Sequence, residues 1–266
     1  MNRPELQSYY DQYWNRADRT TWTPEIKPWT DDEFERKLGR LSGKERVLDV
    51  GCGDATTYHR QLLGIVRELH GLDVSSLAVE QARRVGLKAT AVKFDSERFP
   101  YEDNFFEGAT CIEVFEHLFD PLFAAKELHR VLKPGGCLVA SVPNFGYFGD
   151  RAEALLRARV RNSAIDWAEN PFAGAHIRFF SLRTFKQLLQ MSGFEVVEVI
   201  PHASCSIFDL LWVVGKWVQL SLRLKEQVPY ALRLGFLERI WPSLFAQHIM
   251  LVGIKPRMTV EAPRCY

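Results

Sequence analysis

The stretch Val47-Leu48-Asp49-Val50-Gly51-Cys52-Gly53-Asp54, followed about twenty residues later by Gly71-Leu72-Asp73-Val74-Ser75, decides the fold. The first reads as a buried strand, Arg46 to Val50, that ends in a glycine turn, with a helix from about Asp54. The second reads as another strand ending in an acid. Glycines at 51 and 53 remove Cβ atoms where the backbone bends sharply and approaches a ligand closely. Asp73, at the tip of its strand, is placed to accept hydrogen bonds from a ribose diol. Together the two stretches predict a nucleoside-binding crevice at the carboxyl ends of parallel strands.

Residue chemistry narrows the nucleoside. A dinucleotide site shows G-x-G-x-x-G/A, with bare backbone and a helix N-terminus facing a pyrophosphate. Here Thr56 stands where the third small residue belongs. Asp49 precedes the turn and Asp54 lies in it, and carboxylates there repel a pyrophosphate but suit the ammonium of a methionine moiety. S-adenosylmethionine is therefore the expected cofactor, ahead of NAD.

Five ordered motifs then resemble those of the class I S-adenosylmethionine-dependent methyltransferases. Val47–Asp54 matches the first motif and Gly71–Ser75 the second. Phe94-Asp95-Ser96 matches the adenine-contacting acid after the third strand. Ile112-Glu113-Val114-Phe115-Glu116-His117 matches the strand-four motif that faces the transferred methyl, and Leu132-Lys133-Pro134-Gly135-Gly136 the turn before strand five. The resemblance implies a Rossmann-like α/β fold, a doubly wound seven-stranded sheet that is mostly parallel, with the last strand antiparallel. It also implies that Asp49, Gly51, Cys52, Gly53, Asp73, Val74, Asp95, Ser96 and Glu113 contact the cofactor.

Alternating βα signals agree with a doubly wound sheet. Helices are expected from about Ala55 to Leu63, from an N-cap at Ser75 to Val85, and from Pro121 to Leu132, the last ending in the Lys-Pro-Gly-Gly turn. A later helix covers Leu182 to Met191. Strands are expected at Glu68–Leu72, Lys88–Phe94, Glu107–Val114, Cys137–Val142, Phe194–Ile200 and His248–Lys255. The 266 residues suit one domain: a cap at 1–43, a cofactor-binding core at 44–143, and insertions at 144–180 and 203–245 forming an acceptor-side lid.

Composition sets bounds. Apolar residues make up 47% and charged residues 25%, ordinary for a soluble globular chain. A formal net charge of +1 gives no global field toward nucleic acid, so none is expected as a partner. The five cysteines are scattered without a C-x-x-C, which argues against a disulfide framework or a zinc site. Met1 to Tyr13 is polar and lacks an apolar signal core, so a cytoplasmic enzyme is the expectation.

Three segments outside the core carry the acceptor information. Tyr9, Tyr10, Tyr13, Trp14, Trp22 and Trp29 either dock a terminal helix or form a lid over cofactor and acceptor. Arg151, Arg157, Arg159 and Arg161 lie on an expected helix, as a solvated face or as a site for an anionic acceptor group. Ile207 to Leu220 is apolar but interrupted by Asp209, Lys216 and Gln219, and is shorter than the ~20 apolar residues of a membrane span. It fits a buried or homodimer-forming helix, a greasy pocket, or a peripheral contact with a membrane surface.

Methyl transfer needs an in-line approach, and a hydroxyl acceptor must also lose its proton to a base or through a metal. Glu113, Glu116 and His117 sit at the end of strand four, and His176 precedes the late helix. This spacing resembles the ubiquinone-pathway O-methyltransferases and the plant-type small-RNA 2′-O-methyltransferases, which implies Glu113, Glu116, His117 and His176 as ligands of a divalent metal such as Mg. The alternatives are His117 as catalytic base or orienter, and a purely structural cluster. The near-neutral charge disfavours an RNA substrate. The expected activity is methyl transfer to a hydroxyl oxygen of a small or lipid-like metabolite. The alternatives are N- or C-methylation of a small acceptor, and a cofactor-binding partner subunit without activity.

Overall fold

The computed structural model describes residues 31–94, 96–157, 176–202 and 240–257, together with Ser8, Tyr10, Asp11 and Trp14. Its centre is a seven-stranded sheet built from β1 (Arg46–Val50), β2 (Glu68–Asp73), β3 (Lys88–Ala91), β4 (Phe106–Ile112), β5 (Leu132–Pro143), β6 (Glu195–His202) and β7 (His248–Ile254). The strand order is β3-β2-β1-β4-β5-β7-β6. The β1–β2, β2–β3, β1–β4 and β4–β5 pairs are parallel, whereas β7 runs antiparallel to both β5 and β6. The expected doubly wound sheet with an antiparallel last strand is thus what the chain forms.

The central strands are apolar because both their faces are covered. One face carries Leu48, Val50, Phe106, Leu138 and Leu251 against Phe115, Leu128 and Phe185. The other carries Val47, Leu69, Val139 and Met250 against Phe34, Leu38 and Leu62. The flanking helices are α1 (Asp31–Leu38), α2 (His59–Ile65), α3 (Ser76–Val85), α4 (Pro121–Val131), α5 (Phe148–Arg157) and α6 (Leu182–Met191). Ser75 caps α3 by accepting from Ala78 N–H, and Gly86 ends that helix in a left-handed conformation. A short α7 (Pro242–Phe245) leads into β7.

Three boundaries differ from the sequence expectation. Gly51, Gly53 and Ala55 all have positive φ (80°, 53° and 58°), so no helix forms until His59, four residues later than expected. β3 ends at Ala91, and the chain then closes a turn in which Ser96 and Glu97 N–H donate to Lys93 O. Lys133 to Gly136 is not a free turn. α4 passes directly into β5 through an irregularity between Phe106 and Gly108, and Lys255 Nζ caps the helix end by donating to His129 O and Leu132 O, both at 2.8 Å.

The expected readings of 158–175 and 203–239, with Arg159, Arg161 and the apolar run 207–220, lie outside the described residues, as do Tyr9, Tyr13, Trp22 and Trp29. Among the described residues, no helix is long and apolar enough to cross a membrane.

Candidate active site

β1 and β2 end side by side, and the loops leaving them interlock. Gly51 N–H and Cys52 N–H both donate to Leu72 O, at 2.8 and 3.0 Å. Asp73 then accepts Gly53 N–H on Oδ2 and Ser75 N–H on Oδ1, each at 2.9 Å. Burial raises the Asp73 carboxyl to about 6, with Asp49 adding to the effect and the amides of Ser75 and Gly53 opposing it. A cleft partly open to solvent is lined by Gly51, Asp73, Val74, Lys93, Phe94, Glu113, Val114, His117 and Leu118.

The two loop glycines are required by different neighbours. A Cβ on Gly51 would lie 2.3 Å from Val114 Cγ2, and one on Gly53 would lie 2.6 Å from the Trp14 ring. Tyr10 and Trp14 also line the cleft. Asp11 accepts from Ser75 Oγ and from Leu77 N–H, the latter at 3.4 Å, tying this N-terminal helical segment to the start of α3.

Asp49 does not reach the cleft, contrary to the expected cofactor contact. It is fully buried and accepts from Tyr58 OH (3.0 Å), Thr110 Oγ1 (2.5 Å) and the His59 ring (2.6 Å). Its charge organises the base of the loop instead. Cys52 is likewise buried beneath the loop, with its thiol pushed well up by burial, Asp73 and Asp49. Its Sγ fills the space left by the missing Cβ of Gly71. Ser96 is exposed, and Asp95 lies outside the described residues. Sequence reading missed Tyr58, His59 and Thr110. Only the β1–β4 register, which sets Thr110 opposite Asp49, brings the last of them in.

The acceptor side is built where β4 ends. Glu113 has left-handed backbone (φ 55°), and its carboxylate accepts from Ser141 Oγ at 2.7 Å and contacts His248 Nδ1 at 2.9 Å. Burial alone raises this carboxyl, but His248 and Ser141 outweigh it and hold it well below the usual range. A 3₁₀ turn, Phe115–His117, follows. The segment 176–180 docks on this turn: Ile177 and Arg178 N–H both donate to Glu116 O, and Phe145 N–H to Phe180 O.

That docking brings the His117 and His176 rings to 4.7 Å between centroids. Their Nε2 atoms lie 3.8 and 3.9 Å from Glu116 Oε1, and the ligand atoms of the three residues all fall within 4.8 Å of one another. Among the described residues, neither buried Glu116 carboxylate oxygen has a hydrogen-bond partner. Burial, then the nearby Glu113 charge, raises this carboxyl well above normal, and burial lowers His176. Three of the four expected metal ligands therefore converge. Glu113 does not join them, because both its oxygens are taken by Ser141 and His248, the latter a residue that sequence reading did not single out.

Residues 25–199 match a family model described as a methyltransferase domain. The chain is 30% identical over 176 residues to a ubiquinone biosynthesis O-methyltransferase of Alkalilimnicola ehrlichii, covering 59% of this chain and 67% of that protein. It is 38% identical over 193 residues to an O-methyltransferase of Penicillium expansum, covering 67% and 65%. Matched regions span 58% to 67% of the length of such relatives. In fold, it is similar to the methyltransferase solved in complex with the Haloferax volcanii Trm112 methyltransferase activator, at a TM-score of 0.58 and 19% identity over 95% of this chain and 98% of that one.

Proposed function

Because this chain belongs to the class I S-adenosylmethionine-dependent methyltransferases, we propose that it transfers the methyl group to a hydroxyl oxygen of a small acceptor with an apolar body. The observation that carries the reading is the Glu116–His117–His176 cluster, of which His117 lines the cleft. A buried carboxylate without a hydrogen-bond partner is costly unless it binds a proton or a cation, and both states serve a hydroxyl acceptor. The two matched relatives named as O-methyltransferases support the same atom type.

In this reading, Asp73 holds the ribose and the Gly51 loop admits the methionine chain. The acceptor oxygen attacks the methyl carbon in line, a new carbon–oxygen bond forms as the carbon–sulfur bond breaks, and sulfur keeps the electron pair to give S-adenosylhomocysteine. The hydroxyl proton passes to His117, which lines the cleft. The cofactor carries the electrophile, and the protein contributes orientation and a proton acceptor. Where Glu116, His117 and His176 instead hold a divalent ion, His117 is a ligand and not the base; two imidazoles with one carboxylate would suit zinc, iron or manganese better than magnesium. Such an ion supplies a lowered pKa to the acceptor hydroxyl.

The acceptor's apolar body is read from the rim. Phe119, Phe145, Ile177 and Phe179 are exposed on the segments that build the cluster, with Phe145 and Phe179 in ring contact at 5.0 Å. Exposed apolar groups gathered beside a cleft mark a binding surface. On this reading, the domain is single, residues 1–43 cap the cofactor, and 144–180 and 203–245 wall the acceptor.

The test is formation of S-adenosylhomocysteine with catechols, hydroxyquinones and aliphatic alcohols, with amines and carbon nucleophiles in parallel, using metal-loaded and chelated protein. Turnover confined to hydroxyl acceptors and lost in His117→Ala is the expected result. Turnover confined to amines or carbon acceptors overturns it.

A further inference from the structure

The chemistry above leaves one carboxylate–imidazole pair on the same edge without a role. Glu113 sits in left-handed backbone, which a side chain other than glycine adopts only when its surroundings impose it. Two strands impose it here. Ser141 of β5 accepts Glu113 N–H at 3.1 Å and donates its hydroxyl to Oε1 at 2.7 Å. His248, the first residue of β7, holds Oε2 through Nδ1 at 2.9 Å. With both oxygens anchored, the carboxylate stays at the cleft wall, between Gly51's neighbour Val114 and His117.

Asp73 ends β2, Glu113 follows β4, and Gly51 follows β1, which lies between those two strands; all three line the cleft. On the S-adenosylmethionine assignment, a cofactor held by its ribose at Asp73 extends across the end of β1 toward Glu113. A carboxylate held in place at the cleft acts on a cation that comes close to it, although at 31% exposure water screens part of the attraction.

We propose that His248 is a positioning residue for the methyl donor: by anchoring Glu113 it keeps a carboxylate opposite the sulfonium and makes the site favour the donor over the neutral-sulfur product. This rests on the S-adenosylmethionine assignment. His248 acts through Glu113 and needs no contact with the cofactor. Donor and product compete for one cleft, and a fixed counter-charge weakens the hold on the ligand as soon as its charge is gone.

The experiment is calorimetric titration of wild type, His248→Ala, His248→Asn and Glu113→Gln with S-adenosylmethionine and S-adenosylhomocysteine. The two ligands differ in the sulfonium methyl, so the ratio of their affinities isolates the charge effect from any general loosening of the site. Glu113→Gln is expected to lower that ratio about tenfold; His248→Ala, which removes the anchor together with an imidazole that offsets part of the carboxylate's charge, is expected to lower it by less. His248→Asn, whose amide N–H replaces the Nδ1 donor, should restore it to within about twofold. Combining Glu113→Gln with His248→Ala should lower the ratio no further than Glu113→Gln alone, because both act through one group. Equal weakening of both ligands in His248→Ala overturns the proposal, as does an unchanged ratio in Glu113→Gln, a variant that keeps the side-chain shape if His248→Ala fails to fold. Wild type that binds neither ligand removes the cofactor assignment itself, and the proposal with it.

Discussion

Asp73 Oδ2 accepts the backbone N–H of Gly53 at 2.9 Å, so the acid proposed to hold the ribose also fixes the shape of the loop proposed to admit the methionine chain. Burial raises the same carboxyl to about 6. Below that pH the free protein takes up a proton, and one of the two acceptors needed by a ribose diol becomes a donor. S-adenosylhomocysteine affinity should therefore be highest above pH 7 and fall as the pH drops through about 6, by up to about tenfold per unit. Calorimetry between pH 5 and pH 8 measures this directly. Asp73→Asn should bind more weakly than wild type at pH 7.5 and lose that part of the pH dependence.

At Gly51, the obstacle to a side chain is the protein rather than the cofactor. A Cβ there meets Val114 Cγ2 at 2.3 Å, on a residue whose φ is +80°. Gly51→Ala should destabilise the protein by about 1–3 kcal/mol and abolish cofactor binding. Adding Val114→Ala removes the clash but not the left-handed backbone, so thermal unfolding should show partial recovery. Full recovery in the double variant would mean that backbone conformation contributes nothing at this position.

Glu116 predicts opposite effects with and without metal. Burial raises its carboxyl, so in chelated protein it lowers stability as the pH rises past its ordinary range. Glu116→Gln removes that cost and should unfold about 2–4 °C higher than wild type at pH 8 in chelator, with the gap closing toward pH 5. Divalent zinc or manganese should raise the wild-type midpoint and leave the variant unmoved. Calorimetric scans with and without EDTA distinguish the two arms.

Trp14 packs on Gly53 and lines the cleft, and Asp11 reaches Ser75 and Leu77 at the start of α3. Trp14→Ala should weaken S-adenosylhomocysteine binding by about 1–2 kcal/mol through lost aromatic contact, with little change in the unfolding midpoint. An unfolding midpoint that falls while affinity holds would make this segment structural alone.

The alternation of strands and helices, the glycine turn and the acid at a strand tip were readable from sequence because local chemistry encodes them, whereas the antiparallel last strand came from the family resemblance. Ser75 as the cap of α3 was readable for the same reason. What escaped depends on distance along the chain. Thr110 meets Asp49 across 61 residues through strand register, and His248 meets Glu113 across 135. No periodicity carries such pairs. The late start of α2 was hidden because Ala55 is an ordinary helix former, and its positive φ comes from the loop around it. Lys-Pro-Gly-Gly reads as a turn that ends the helix; the helix does end at Val131, and these four residues fall in an irregularity of the β4–β5 register, between the Leu132–Phe106 and Cys137–Gly108 pairs. Glu113 was grouped with the metal ligands for want of Ser141 and His248.

The reversed direction of β7 has an architectural result. His202 and His248 are register partners, so the chain leaves β6 and re-enters β7 at one point, on the same rim where the parallel strands deliver their carboxyl ends. The segment joining those two histidines departs from and returns to that rim, and β1 to β5 all precede it. Because the entropy of closing a loop grows only slowly with its length, this connection is open to exchange for a longer or shorter one, and on the proposed reading such an exchange alters the acceptor while the strands that carry the donor residues stay in place.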